Sequence, residues 1–331
     1  MLILTRADVE ALLEPVALLD AVSAGFQALS AGAVEAPPRQ AITADGGSVL
    51  TMAGRASGAP VAVKLVGVFP GNVALGLEPH PAVICLLDPS TGACLALMDG
   101  EHITGLRTAA GAALSTRALA REDASVLAIV GSGVQARTHL RLLPLVRDFV
   151  EVRVVARDPA AAERLIADHA ASAAPSPARP PSPPATASRG PSPRVVAAAT
   201  AEGADVICLT TSSSVPVLSL AEVAPGTHVT SVGFAPPGGE LDPALAAAAR
   251  LFVETRQAFS PPPAGCAELA GLDPAAATEL GELLSGRASG RTSPAEITVY
   301  KAMGHIAEDA AAAELVYRAA LEQGVGRTVD L

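Results

Sequence analysis

Three cations stand in surroundings unlike those of solvated surface charges. Arg39 follows Pro37-Pro38 in a stiff turn, Lys64 sits inside the apolar run from Val61 to Val66, and Arg107 lies on an Ala-rich stretch. A guanidinium presents a planar fork of donors suited to a carboxylate, and an ammonium removed from water is a tunable charge. Taken singly, each also reads as a structural charge, since a lysine on a strand points to solvent by simple alternation. A fourth feature is more specific. Gly131-Ser132-Gly133-Val134-Gln135-Ala136 fits G-x-G-x-x-[GA] directly after the apolar run Ser125–Val130 and before a helical stretch. The first glycine permits a tight turn, the second lets the backbone approach a pyrophosphate, and the third small residue lets helix and strand pack closely. The helix N-terminus adds N–H donors for phosphate. This predicts a dinucleotide site. At the end of the next strand, Val154-Val155-Ala156 carries no acid for an adenosine ribose, and Arg157 follows at once. An arginine there suits a 2′-phosphate, which favours NADPH over NADH. Asp158 either borders that site or caps the helix opening at Pro159. Thr211 precedes Ser212-Ser213-Ser214, a segment that lines the same crevice or forms a turn.

These residues need a scaffold, and the hydrophobic pattern supplies one in two parts. From Asp8 to Ala31, Val9, Leu12, Leu13, Val16, Leu19, Val22, Phe26 and Leu29 recur at threes and fours, an amphipathic helix interrupted only by Pro15. Short apolar runs at Ser48–Ala53, Pro60–Phe69, Ala82–Leu87 and Ala93–Met98 predict an antiparallel sheet, followed by a helix over Thr104–Leu119. After Glu122 the pattern alternates. Strands at Ser125–Val130 and Val150–Ala156 are each followed by helices, Val134–Val146 and Pro159–His169, and further strands are expected at Arg194–Ala199, Asp205–Thr210, His228–Val232 and Arg250–Glu254. Such alternation predicts a parallel sheet with covering helices. Glu296–Tyr300 is strand-like, and Ala302–Glu322 is a long helical pattern expected to return to the first part. The predicted fold is therefore α/β, with a Rossmann-type domain at 121–299 and a smaller α+β domain built from 1–120 with 300–331. Pro175–Pro193 holds eight prolines in nineteen residues and has no apolar face, so it is expected to be an exposed loop within the Rossmann domain.

Composition narrows the function classes. With 331 residues, 50% of them hydrophobic, the chain is long enough for one large or two modest cores. Acidic residues outnumber basic ones 33 to 23, a formal charge of -10, which argues against a nucleic-acid partner. Trp is absent, so stacking platforms for bases are not expected either. Cys85, Cys94, Cys208 and Cys266 form no CxxC pair and predict a reduced, cytoplasmic setting. No apolar span of about 20 residues is present to suggest a membrane segment. The six histidines form no HxH or HExxH pair, so no metal site is expected. Neither a GK[ST] loop nor a GxSxG elbow occurs.

Taken together, several segments resemble the ornithine cyclodeaminase and mu-crystallin family in order and spacing. They are Ala36-Pro-Pro-Arg39, Val63-Lys64-Leu65-Val66, Leu86-Leu-Asp88-Pro-Ser-Thr-Gly92, Met98-Asp-Gly100, Thr104-Gly-Leu-Arg107 and the Gly131–Ala136 loop. Glu240-Leu-Asp242 and Thr298-Val-Tyr-Lys-Ala-Met-Gly304 with Asp309 extend the match, which covers nearly the whole chain apart from the proline-rich stretch. The resemblance implies a homodimer whose α+β domain binds substrate and makes the dimer contact, while the Rossmann domain holds NAD(H) or NADP(H). Its members handle an imine or imino acid beside the nicotinamide. It further implies that Arg39 and Arg107 bind a carboxylate and that Lys64 faces the imine or carbonyl carbon.

Two departures bear on substrate. Cyclodeaminases carry an aspartate in a Gly-x-Asp-x-Pro-Gly segment, and here Gly233-Phe-Ala235-Pro-Pro-Gly238 places Ala235 at that position. A proton acceptor of that kind contributes about 10²–10⁴-fold to rate, so its loss disfavours ornithine cyclodeamination. Glu78-Pro79-His80-Pro81 stands where many relatives have Thr or Ser before the histidine. The expected activity is NAD(P)H-dependent reduction of a small cyclic imino acid. The alternatives are an alanine dehydrogenase, an ornithine cyclodeaminase-like enzyme, or a non-catalytic crystallin-like protein that binds cofactor and ligand.

Overall fold

The computed structural model describes residues 1–78, 80–173 and 192–330. Pro79 and most of the proline-rich stretch, residues 174–191, therefore lie outside the described residues. Two eight-stranded sheets organise the rest. The first runs, in spatial order, Arg327–Thr328, Leu2–Leu4, Cys94–Asp99, Ala82–Leu87, Val61–Val68, Gly47–Ala56 and Val34–Glu35, with Gln40–Ala44 also paired to Gly47–Ala56. Its centre is the antiparallel meander expected from the short apolar runs. Leu2–Leu4 adds parallel to Cys94–Asp99, so the sheet is mixed.

Alternation along these strands sorts the side chains. On the inner face Met52, Lys64 and Ile84 lie directly across from one another, and all three are buried. Lys64 is thus an exception to the rule that strand lysines face solvent. Three helices cover this face. The single helix expected from Asp8 to Ala31 is two, Arg6–Leu12 and Pro15–Ser30, because Pro15 lacks the N–H to continue the first and instead starts the second at its N1 position. Thr5 caps the former with a capping box, and the Glu14 carboxylate accepts from Ala17 N–H at the start of the latter. Ile306–Gln323 packs against Pro15–Ser30 and the inner face, returning the C-terminal chain to the first sheet.

Gly100–Leu119 begins one turn earlier than its apolar pattern suggests, since Asp99 caps it through His102 N–H. It is buried nearly along its whole length because it lies between the two sheets, touching strands of both. Small residues permit this. A Cβ on Gly105 would stand 3.1 Å from Thr138 and 3.4 Å from Val134, so the helix presses on the opening turn of Val134–Leu142.

Every strand pairing of the second sheet is parallel. Its order is Arg194–Ala198, Glu151–Val155, Val126–Val130, Val206–Leu209, His228–Ser231, Thr298–Lys301, Arg250–Val253 and Thr278–Glu279. The chain reverses its direction of growth between Val126–Val130 and Val206–Leu209, the switch point at which α/β sheets open a crevice. Arg194–Ala198 and Glu151–Val155, which bracket the proline-rich stretch, are neighbours in this one sheet. Thr298–Lys301 runs across the 299/300 division expected from the sequence and pairs fully within the second sheet.

Candidate active site

The glycine loop occupies the switch point. Gly131 ends the Val126–Val130 strand with φ of 132° and donates its N–H to Val155 O at 2.8 Å. A Cβ there would stand 2.5 Å from Thr210 Oγ1, so both conformation and space demand glycine. Gly133 precedes the Val134–Leu142 helix, has no side-chain hydrogen bond at that cap, and would place a Cβ in open space. Free N–H groups beneath an open approach are what a pyrophosphate requires. Ala136 is fully buried against the sheet, while Ser132 and Val134 border the opening. Gln135 turns its backbone carbonyl to His139 Nδ1 at 2.7 Å. These residues fit a dinucleotide. Arg157 is exposed just past the neighbouring strand. Asp158 is engaged locally, accepting from Ala160 N–H at 3.0 Å and from Arg164 at 3.3 Å, the pattern of a helix cap.

Across the crevice the three cations of the first domain converge. Lys64 Nζ donates to Asp309 Oδ1 at 2.7 Å and to Thr104 Oγ1 at 2.6 Å. Arg107 Nε donates to the same Asp309 oxygen at 3.0 Å, and its Nη1 lies 3.5 Å from Glu308. Burial pulls the Lys64 ammonium down to about 8, with Asp309 opposing and Arg107 reinforcing that fall. Burial pushes the Glu308 carboxyl well above the usual carboxylate range and neighbouring Glu254 adds to the rise, while Arg107 opposes it. Gly304, with φ of 75°, lies so close to Arg107 that a Cβ would stand 2.7 Å from Nη2.

Arg39 is fixed differently. Its Nε donates to Pro263 O at 2.6 Å and its Nη1 to Met303 O at 2.9 Å, while the guanidinium carbon lies 5.2 Å from the Phe234 ring centroid. Its buried Nη2 has no partner among the described residues. Met303 and Gly304 in turn donate their N–H groups to Glu254 at 2.9 and 3.0 Å. A cavity of about 20 Å³ lies here, lined in part by Arg39, Met52, Glu254, Gly304 and His305.

A buried carboxylate joins crevice and cation cluster. Glu240 accepts from Thr211 N–H and hydroxyl at 2.6 and 2.7 Å, and from Ser231 Oγ, Val232 N–H and Gly233 N–H at 3.1, 3.1 and 2.7 Å. Thr211 is therefore a wall of the crevice whose donors are already in use. From the other side Lys301 Nζ donates to Gly233 O at 2.8 Å and pairs with Glu268 at 2.8 Å. Gly233 leads directly to Phe234, which stacks on Arg39, and to half-buried Ala235, which bridges to Gly238. Sequence reasoning quoted Thr104, Glu240 and Asp309 within motifs without giving them roles, took Glu254 only as the end of a strand, and passed over Glu268 and Glu308. One signal was available. The chain has only two lysines, Lys64 and Lys301, and both are buried with carboxylate partners.

Fold and site define an α/β protein whose dinucleotide-type glycine loop shares a crevice with a cluster of buried cations. The sequence profile of the ornithine cyclodeaminase/mu-crystallin family matches residues 1–179 and 186–324, and the chain belongs to that family. The ketimine reductase mu-crystallin of Mus musculus is 35% identical over 77% of this chain and 74% of its own length. Among solved structures, Δ1-pyrroline-2-carboxylate reductase of Thermococcus litoralis, in complex with NADH and L-proline, superposes with a TM-score of 0.88 at 30% identity, covering 99% of this chain and all of the other. An archaeal alanine dehydrogenase dimer with bound NAD superposes with a TM-score of 0.85 at 29% identity over 100% of this chain and 99% of the other.

Proposed function

We propose that the protein reduces a small cyclic imino acid, of the 1-pyrroline-2-carboxylate or 1-piperideine-2-carboxylate type, to the corresponding amino acid with NAD(P)H. The observation that carries this reading is the continuous chain of contacts from Gly131 and Thr210 through Thr211, Glu240 and Gly233 to Phe234 and Arg39, with Lys64 and Arg107 on the facing domain. When bound beside Gly131–Ala136, NAD(P)H supplies a hydride. The protein's own task is placement. Arg39 Nη2, which has no partner among the described residues, and Arg107 Nη2 are the donors offered to the substrate carboxylate, and the third N–H of Lys64 is the donor offered to the imine. Holding a carboxylate at two fixed guanidiniums orients the neighbouring carbon, a contribution of roughly 7–11 kcal/mol to a bimolecular barrier. Reduction of a protonated imine needs no further base, so Ala235 suits this reaction and not the deamination of a diamino acid. L-proline and L-pipecolate, the products of these two reductions, should bind to the complex with oxidised cofactor, read as a rise in thermal midpoint. Failure of both to bind would count against the cyclic substrate.

The same reading covers cofactor choice, assembly and location. If Arg157 pairs with a 2′-phosphate, Arg157→Ala raises the KM for NADPH about tenfold or more while barely changing that for NADH. Equal effects on both would remove the phosphate role. A homodimer is favoured by the outer face of the first sheet, where Val63, Cys85 and Leu97 form one row and Leu65 and Val83 the start of the next. Leu65 and Val83 are 45% and 42% exposed there, an apolar face suited to a second copy. No described helix is long and apolar enough to cross a membrane, and the four cysteines are free thiols, which suits the cytoplasm.

A further inference from the structure

We propose that Asp309 is a positioning residue that holds the Lys64 amine in its charged form and fixes it, with Arg107, at one edge of the cleft. Its Oδ1 receives Lys64 Nζ at 2.7 Å and Arg107 Nε at 3.0 Å, and neither Lys64 nor Asp309 is more than 1% exposed. Three elements meet at this atom: the Val61–Val68 strand brings Lys64, the Gly100–Leu119 helix brings Thr104 and Arg107, and the Ile306–Gln323 helix brings Glu308 and Asp309. Across the sheet Lys64 faces only Met52 and Ile84, which carry no charge. Of the charged or titratable groups near the amine, Arg107 works against its charge and Asp309 supports it. Glu308 also supports it, but less than Asp309, and burial and Glu254 push the Glu308 carboxyl itself up. Thr104 offers a neutral hydroxyl that itself donates to Gly100 O. Burial pushes the Asp309 carboxyl up, but Arg107 and Lys64 outweigh it and hold it below the ordinary value. One carboxylate oxygen thus serves two buried cations. A buried lysine without such a partner loses its proton readily.

For catalysis the consequence rests on the imino-acid reading, but the pairing can be tested without substrate. Because the chain has only two lysines, protein carrying ¹³Cε-lysine yields two side-chain signals, and Lys64→Arg assigns them. In the wild type the Lys64 signal should titrate with a midpoint of about 8. Asp309→Asn keeps the shape and removes the charge, and should lower that midpoint by roughly 1–3 pH units. The Lys301 signal, paired with Glu268, should not move and serves as the test that the fold is retained. An unchanged Lys64 midpoint in folded Asp309→Asn would overturn the proposal. If that variant does not fold, the wild type decides: a midpoint at or below about 6, the range of buried lysines without a partner, would overturn it equally. Absence of turnover with every imine, alongside the expected titration shift, would count against the catalytic reading and leave the pairing intact.

Discussion

Lys64→Ala should lower kcat/KM for imine reduction by about 10²–10⁴-fold while leaving the affinity for NAD(P)H within a few-fold of wild type. The asymmetry follows from location. Lys64 belongs to the first sheet and touches Thr104 and Asp309, whereas the glycine loop lies on the second sheet. On the proposed function, removing the amine deletes the donor that faces the imine, and it leaves Arg107 as the one cation bonded to Asp309 among the described residues. Cofactor fluorescence titration beside steady-state rates checks both halves. A loss of less than tenfold in turnover would place Lys64 away from the chemistry. A pH dependence accompanies this. Since burial draws the Lys64 ammonium down to about 8, kcat/KM should fall as pH rises through that value. The stability effect of the same group has the opposite sign. Its folded pKa lies below the ordinary lysine value, so the unfolded chain binds the proton more tightly and this group's contribution to stability rises from about pH 8 upward. An alkaline loss of activity through Lys64 is therefore separable from unfolding by a thermal scan at each pH.

The glycine pair should separate folding from cofactor binding. Gly131→Ala forces a Cβ into a backbone with φ of 132° and to within 2.5 Å of Thr210 Oγ1 and 2.9 Å of Thr210 O. Thr210 is itself tied to Val130 O at 2.8 Å, so it has little room to give. Destabilisation of about 2–4 kcal/mol is expected, with cofactor binding lost along with it. Gly133→Ala meets nothing within 4 Å. That variant should melt with the wild type yet bind NAD(P)H at least about tenfold more weakly, because the added methyl occupies the approach of the pyrophosphate. Differential scanning calorimetry and cofactor titration read the two effects independently. Wild-type cofactor affinity in Gly133→Ala would mean that the phosphates do not come close to this turn.

The second sheet was legible because its signals are local. Seven of its eight strands coincide with short runs bounded by turn residues, whereas the polar pair Thr278–Glu279 was missed, and the loop Gly131–Ala136 announces a backbone requirement that the observed φ and the Thr210 contact explain. The break at Leu13–Glu14 followed from proline chemistry that the apolar spacing overrode in the reading. What sequence could not carry is which charges meet across long separations. Asp309 reaches Lys64 over 245 positions, and Arg39 reaches Pro263 over 224. A strand lysine ordinarily faces solvent, but Lys64 is in register with Met52 and Ile84 on the inner face, where two helices bring Thr104 and Asp309 to meet it. Glu240 illustrates the same limit. Its residue type is ordinary, and its role lies in five donors from two separate strand ends. Only the resemblance to a family, through motifs far apart in the chain, gathered the three cations into one site before the fold was known.

The central claim is substrate chemistry, and steady-state oxidation of NADH and NADPH tests it most directly. Purified protein would be assayed with 1-pyrroline-2-carboxylate, with 1-piperideine-2-carboxylate and with pyruvate plus ammonia, and separately with ornithine and oxidised cofactor, read as ammonia released because cyclodeamination returns the cofactor unchanged. Turnover of at least one cyclic imine, with a kcat/KM exceeding that for pyruvate and ammonia by tenfold or more on the order of enzyme discrimination between poorly matched substrates, is the predicted result. No oxidation with either cyclic imine, together with turnover of pyruvate and ammonia, would contradict it and make the protein an alanine dehydrogenase.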